Sequence, residues 1–108
     1  AQRCLAFHTI ENRDPDLPDA IKTSLSPWIA GCDICQDVCP WNHRDLPSSQ
    51  DPDMQPRPWL LNVNAKDLQN WDDATWDQQL RGSALRRIKP WMWRRNAAAA
   101  QPELPPNL

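Results

Sequence analysis

The sequence predicts a mostly α chain with irregular loops, and three observations carry that expectation. Cap residues of the Asn, Asp and Ser type precede short segments whose apolar side chains fall four apart, as in Ile21 and Leu25 or Trp76 and Leu80. Twelve Pro against two Gly cut the chain into short pieces. With 108 residues, 40% of them apolar, and a mean hydropathy of -0.77, the chain can bury one modest core, which excludes a large enzyme domain.

Taken in order, Cys4 to Glu11 carries four apolar side chains and reads as a short helix or strand, a choice that periodicity cannot make in so few positions. Asn12 to Pro18 holds Asp14-Pro15 and Leu17-Pro18, and a residue before Pro is pushed out of the helical region, so this stretch reads as a loop. Asp19 to Leu25 has room for two helical turns, with Asp19 as the expected cap and Pro27 as the stop. Trp28-Ile29-Ala30 then anchors the chain before Gly31 and a cysteine cluster. Arg44 to Pro58, with four Pro, two Ser and three Asp, reads as an irregular connection and the best candidate for a boundary. Beyond it, Asn64 is expected to cap a helix over Ala65 to Asn70, and Asp72 or Asp73 another that carries Trp76 and Leu80. Gly82 is the expected stop and Ser83 the next cap, before a stripe of Ala84, Leu85, Ile88 and Met92 that Pro90 should kink or split. The expected organisation is a cysteine-bearing segment over 1–43, a Pro-rich connection over 44–58, a helical segment over 59–100 with a basic C-terminal part, and a disordered tail over 101–108.

Net charge is -2, but residues 1–80 hold six basic and thirteen acidic side chains, whereas 81–108 hold six basic and one acidic. The six cations between Arg81 and Arg95, with no carboxylate among them, form a plausible polyanion footprint; the plain alternative is a solvated helix face paired with the acidic body. No apolar run approaches the roughly 18 residues of a membrane span, and nothing at Ala1-Gln2-Arg3-Cys4 has the layout of a secretory signal. A cytoplasmic protein, cut from something longer, is therefore expected, and in that reducing setting cysteines stay free or serve metals rather than form disulfides.

Three of the four cysteines fall in Gly31-Cys32-Asp33-Ile34-Cys35-Gln36-Asp37-Val38-Cys39-Pro40-Trp41-Asn42, a C-x2-C-x3-C-P run separated from Cys4 by 27 intervening residues. A C-x2-C turn brings two thiolates round one metal centre, and a C-x3-C-P ending is that of the bacterial ferredoxin run, whose last cysteine serves the other cluster of a two-cluster module. Zinc competes for four cysteines, but paired C-x2-C knuckles would favour it and only one pair is present. Two arrangements stay open: Cys4 as fourth ligand of a single cluster, or Cys4, Cys32 and Cys35 on one cluster with Cys39 on a second. His8 and His43 lie at no Rieske-like spacing and read as surface or packing residues. The seven Trp read mainly as core bulk, above all Trp28, Trp59 and Trp76. Trp41 is expected to cover a cluster, and Trp91 and Trp93, interleaved with cations, are the ones that would stack on RNA.

Arg3-Cys4, Thr9-Ile10-Glu11 and the string from Gly31 to Asn42 closely resemble the second half of the ferredoxin-like domain of the epoxyqueuosine reductase family. Arg81-Gly82-Ser83 with Arg86, Arg87 and Arg94-Arg95-Asn96 resembles the basic stretch leading into that family's helical repeats. The fold this implies is half of a ferredoxin-like two-cluster module followed by short helices. The implied activity is reduction of epoxyqueuosine to queuosine in the anticodon region of tRNA, by an oxidoreductase that uses cobalamin and two 4Fe-4S clusters and accepts electrons from a donor. Cys4, Cys32 and Cys35 match ligands of the cluster nearer cobalamin, Cys39 a ligand of the other, and Asp33 a position close to cobalamin. Arg81, Ser83, Arg87, Arg94 and Arg95 match the region that meets tRNA phosphates. The complete protein is expected to be a monomer, and this segment alone inactive; a stand-alone 4Fe-4S electron-transfer module and a zinc-stabilised RNA-binding module are the alternatives.

Overall fold

The computed structural model describes residues 1–101, and every regular element among them is helical. The segment after Cys4 is a helix, wound as a π turn over Phe7–Glu11 and closed by the Asn12 amide donating to the Phe7 carbonyl at 2.9 Å. Thr9 supports the widened turn, since its hydroxyl donates back to the Leu5 carbonyl at 2.9 Å, a bond that bends helices. Helix α1 (Asp19–Leu25) buries Ile21 and Leu25 as the i, i+4 spacing requires. Its cap differs from expectation: Pro18 occupies the cap position with extended backbone, and Asp19 lies in the first turn, where a carboxylate favours the helix N-terminus without a capping bond.

Helix α2 (Ile34–Asp37) is one turn within the cysteine run, and the 3-10 turn Pro40–His43 follows it. The Pro-rich connection contributes one short 3-10 turn, Pro52–Met54, and stays exposed. Helix α3 (Ala65–Gln69) begins at Asn64 with a complete capping box: the Asn64 side chain accepts from the Asp67 amide at 2.9 Å and Asp67 accepts from the Asn64 amide at 3.3 Å. Asp72, rather than Asp73, caps α4 (Asp73–Leu80), accepting from the Thr75 amide at 2.7 Å. Gly82, at φ 76°, turns the chain through the left-handed region, and Ser83 caps the 3-10 turn Ala84–Arg87. Pro90 splits the expected stripe, opening α5 (Pro90–Ala100) at its first position, where the missing N–H has no partner to lose.

Helix α5 organises the molecule. Its buried side chains, Met92, Trp93, Asn96, Ala97 and Ala100, form one stripe at helical spacing. That stripe joins two cores. The larger contains Leu68, Trp71, Leu80, Ile88, Met92, Trp93 and Ala97, and the smaller Leu5, Leu17, Ile21, Leu25 and Ala100, with Ile29 packed against both. Each fully buried aliphatic side chain contributes about 1.5–3 kcal/mol, so the large core supplies most of the apolar stabilisation. Trp59, Trp71 and Trp93 meet edge-on or tilted at centroid separations of 5.1, 5.5 and 6.5 Å, the geometry their quadrupoles favour. Trp93 is 2% exposed, so it is a core residue and not an RNA platform, whereas Trp28, Trp59 and Trp76 pack from the margins. Of the expected disordered tail, Gln101 is described and donates to the Gln69 side chain at 2.6 Å; the rest lies outside the described residues.

Candidate metal centre and basic segment

The four cysteines are free thiols, with Cys4 and Cys35 exposed and Cys32 and Cys39 half-buried. Cys4 precedes the first helical turn, and its neighbour Leu5 lies in the small core. Cys32 packs against that same core from 28 positions further along, so the core brings the two separated parts of the cysteine set to one side of the molecule. Gly31, at φ 81°, makes the turn into the run. A Cβ there would meet Ile10 Cδ1 at an ordinary 3.9 Å, so the backbone conformation, and not space, calls for Gly.

Beyond Cys32 the run is held by its own polar groups. The Asp37 and Val38 amides donate to Asp33 and Ile34 carbonyls, and the Cys39 amide to Gln36. Asn42 Nδ2 donates to both the carbonyl and the side chain of Gln36 at 2.9 Å, and His43 Nε2–H donates to the Asp37 carbonyl at 2.6 Å. Asn42 and His43 therefore staple the segment after Cys39 to the end of α2, a role not assigned from sequence although both follow the cysteine string directly. His8 is buried, its Nε2–H donating to Gln2 and its Nδ1 accepting from Asn12, which makes it a packing residue. Asp33 is exposed. Ile34, Val38 and Trp41 are exposed apolar side chains around the cysteines, with the Arg44 guanidinium 4.2 Å from the Trp41 ring.

The donor set suits an iron–sulfur centre by its chemistry: four soft thiol ligands, none in a disulfide and none sealed in a core. Among the described residues, no three His, Cys, Asp or Glu side chains converge as ligands of one ion.

The basic segment folds back on the acidic body. Arg81 and Arg86 both reach Asp77 at 2.9 Å, and together they hold its carboxyl below the usual carboxylate range. Arg87 grips Glu11 with two bonds, at 2.6 and 2.8 Å, and lowers its pKa in the same way. Arg94 donates to the Trp71 carbonyl and lies 3.4 Å from Asp73. Arg95 donates to the carbonyls of His8, Asn12 and Asp14, and burial pulls its pKa down. Ser83 is a cap. These arginines share one chain segment and each has a partner in the fold, while Arg81 and Arg87 keep most of their side-chain surface open.

Residues 1–42 match the family model described as a 4Fe-4S double cluster binding domain, a span that contains all four cysteines. The whole chain is 73% identical over 108 residues to an epoxyqueuosine reductase of Synechococcus sp. (strain CC9605), covering 34% of that protein. The epoxyqueuosine reductase of Prochlorococcus marinus (strain NATL2A) is 60% identical over 94 residues, which cover 87% of this chain and 30% of the relative. That of Vibrio cholerae serotype O1 is 40% identical over 105 residues, 97% of this chain and 28% of the relative. The chain thus spans about a third of the length of these relatives. No solved structure matches it. Among the described residues, no helix is long and apolar enough to cross a membrane.

Proposed function

We propose, for a chain homologous over its whole length to about a third of the epoxyqueuosine reductases, that it supplies cluster ligands and part of the tRNA-facing surface of such an enzyme. The observation that carries this reading is the coincidence of the free-thiol set with the 4Fe-4S double cluster match over residues 1–42. Cys4, Cys32 and Cys35 serve one cluster and Cys39 a second. When bound, such clusters supply electrons one at a time. Removing an epoxide oxygen as water to leave an alkene takes two electrons and two protons, which suits a protein with two clusters fed by an external donor.

The chain's own residues bind and position. The small core takes in Leu5, next to Cys4, and has Cys32 packed against it, while Asn42 and His43 hold the strip that follows Cys39. Toward cobalamin this segment offers the exposed Asp33 side chain, beside the first cysteine of the run. Toward tRNA it offers Arg81, Ser83, Arg87, Arg94 and Arg95, of which Arg81 and Arg87 keep the most exposed side chains, at 77% and 63%. The complete protein acts as a cytoplasmic monomer.

The test is anaerobic preparation followed by iron and sulfide analysis. A brown protein with broad absorption near about 400 nm, and about eight iron atoms per complete protein, is expected. Cys35→Ser should remove about half of that iron. Four iron atoms would identify a stand-alone single-cluster module, and a colourless zinc protein would end the redox reading.

A further inference from the structure

We propose that Asn96, with Thr9, is the positioning device of the cysteine set, a role that rests on the iron–sulfur reading above. Asn96 lies on α5, far in sequence from every cysteine, and is fully buried. Its Nδ2 donates to two carbonyls at once, Thr9 at 2.9 Å and Ile29 at 3.0 Å. Thr9 stands in the helical segment that follows Cys4, and Ile29 three residues before Cys32. One amide group therefore ties together the two stretches that carry the separated parts of the ligand set.

Thr9 adds the third link. Its hydroxyl accepts from the Gly31 amide at 3.0 Å, at the residue directly before Cys32, while donating to the Leu5 carbonyl directly after Cys4. The path Leu5–Thr9–Gly31 thus runs from the neighbour of one cysteine to the neighbour of another through a single oxygen. Arg95 flanks this junction, donating to His8 and Asn12 carbonyls and, through Nε, to the Asn96 side-chain oxygen, which is thereby committed as an acceptor and leaves Nδ2 to face the two carbonyls. Every polar atom of the Asn96 side chain is used. A buried amide satisfied on all sides fixes its partners closely, because any displacement leaves a donor or acceptor bare in a site closed to bulk solvent.

The consequence concerns a cluster rather than the fold alone. A cluster bridging Cys4 to Cys32 and Cys35 needs their relative placement held before it assembles, and among the described residues the run has no hydrogen bond to the Cys4 segment other than through Gly31. Loosening the Asn96 tie should let the two stretches drift apart while both hydrophobic cores remain.

Asn96→Leu keeps size and removes the donors; Thr9→Val keeps shape and removes the hydroxyl; Thr9→Ser keeps the hydroxyl. Leu80→Ala, in the large core on α4, serves as a control matched for lost melting temperature. After anaerobic assembly with iron and sulfide, a chelator should strip iron from Asn96→Leu and Thr9→Val about tenfold faster than from the parent. The midpoint potential of the affected cluster should shift in both, whereas Thr9→Ser and Leu80→Ala should match the parent in both readouts. Iron loss that merely follows melting temperature, equal in Leu80→Ala and Asn96→Leu, overturns the positioning role and leaves the cluster reading intact. All variants are made in the complete protein, and a complete protein of parent sequence that takes up no iron overturns both.

Discussion

Asp77 receives two guanidinium groups, and the balance there is electrostatic. Its folded pKa lies below the ordinary value because Arg81 and then Arg86 hydrogen-bond the charged form. A depressed carboxyl contributes stability that is fully present above the unfolded pKa of about 3.9 and is lost as pH falls through the folded one. Glu11, held by Arg87, behaves in the same direction. Stability should therefore decline in acid below about pH 4, and Arg86→Ala with Arg87→Ala should make that decline shallower in thermal melts taken from neutral pH downward. An unchanged acid limb would show that these ion pairs are fully screened. Such pairings were only half legible in the sequence, which showed a basic end and an acidic body but not which cation meets which carboxylate. Trp93 was set apart as a residue that would stack on RNA for a related reason: a Trp beside cations reads as surface until the helix that carries it is docked.

Elements with local causes were the legible ones. The Asn64, Asp72 and Ser83 caps and the Pro90 break all act within a few residues, so sequence spacing alone locates them. The segment after Cys4 was not legible, because its π turn depends on Thr9 bonding back to Leu5 and forward to Gly31, a partner 22 positions away. Helix α3 gives the sharpest test of a local cause. It is only five residues long and holds Leu68 in the large core, so its cap carries a large share of its stability. Asn64→Ala should cost about 1 kcal/mol in denaturant unfolding, whereas Asn64→Asp, which can still accept from the Asp67 amide, should cost clearly less. Equal losses would mean that packing of Leu68, and not the cap, starts the helix.

Across the whole molecule, the polarity of the sequence and that of the fold differ. The six cations after residue 80 read as an open basic face, yet Arg87 reaches Glu11 across 76 positions and Arg95 reaches His8 across 87. Folding therefore neutralises part of the field that would attract a polyanion, and what remains outward is uneven. Arg81 keeps 77% of its side chain exposed in a pair with Asp77, and such surface pairs are worth little, so a phosphate can take this guanidinium at small cost. Arg95, with three backbone carbonyls as partners, would have to abandon buried acceptors to do the same. If the basic segment meets tRNA, the two positions should separate in a salt titration. Arg81→Ala should lower the slope of log affinity against log salt by about 0.7–0.9 with an unchanged melting temperature. Arg95→Ala should lower the melting temperature and weaken binding without that regular change in slope, because its loss loosens the turn at His8 to Asp14 instead of removing a phosphate contact. A slope that Arg81→Ala leaves unchanged would take this surface out of the tRNA interface, and the segment would then serve the fold by binding the acidic body.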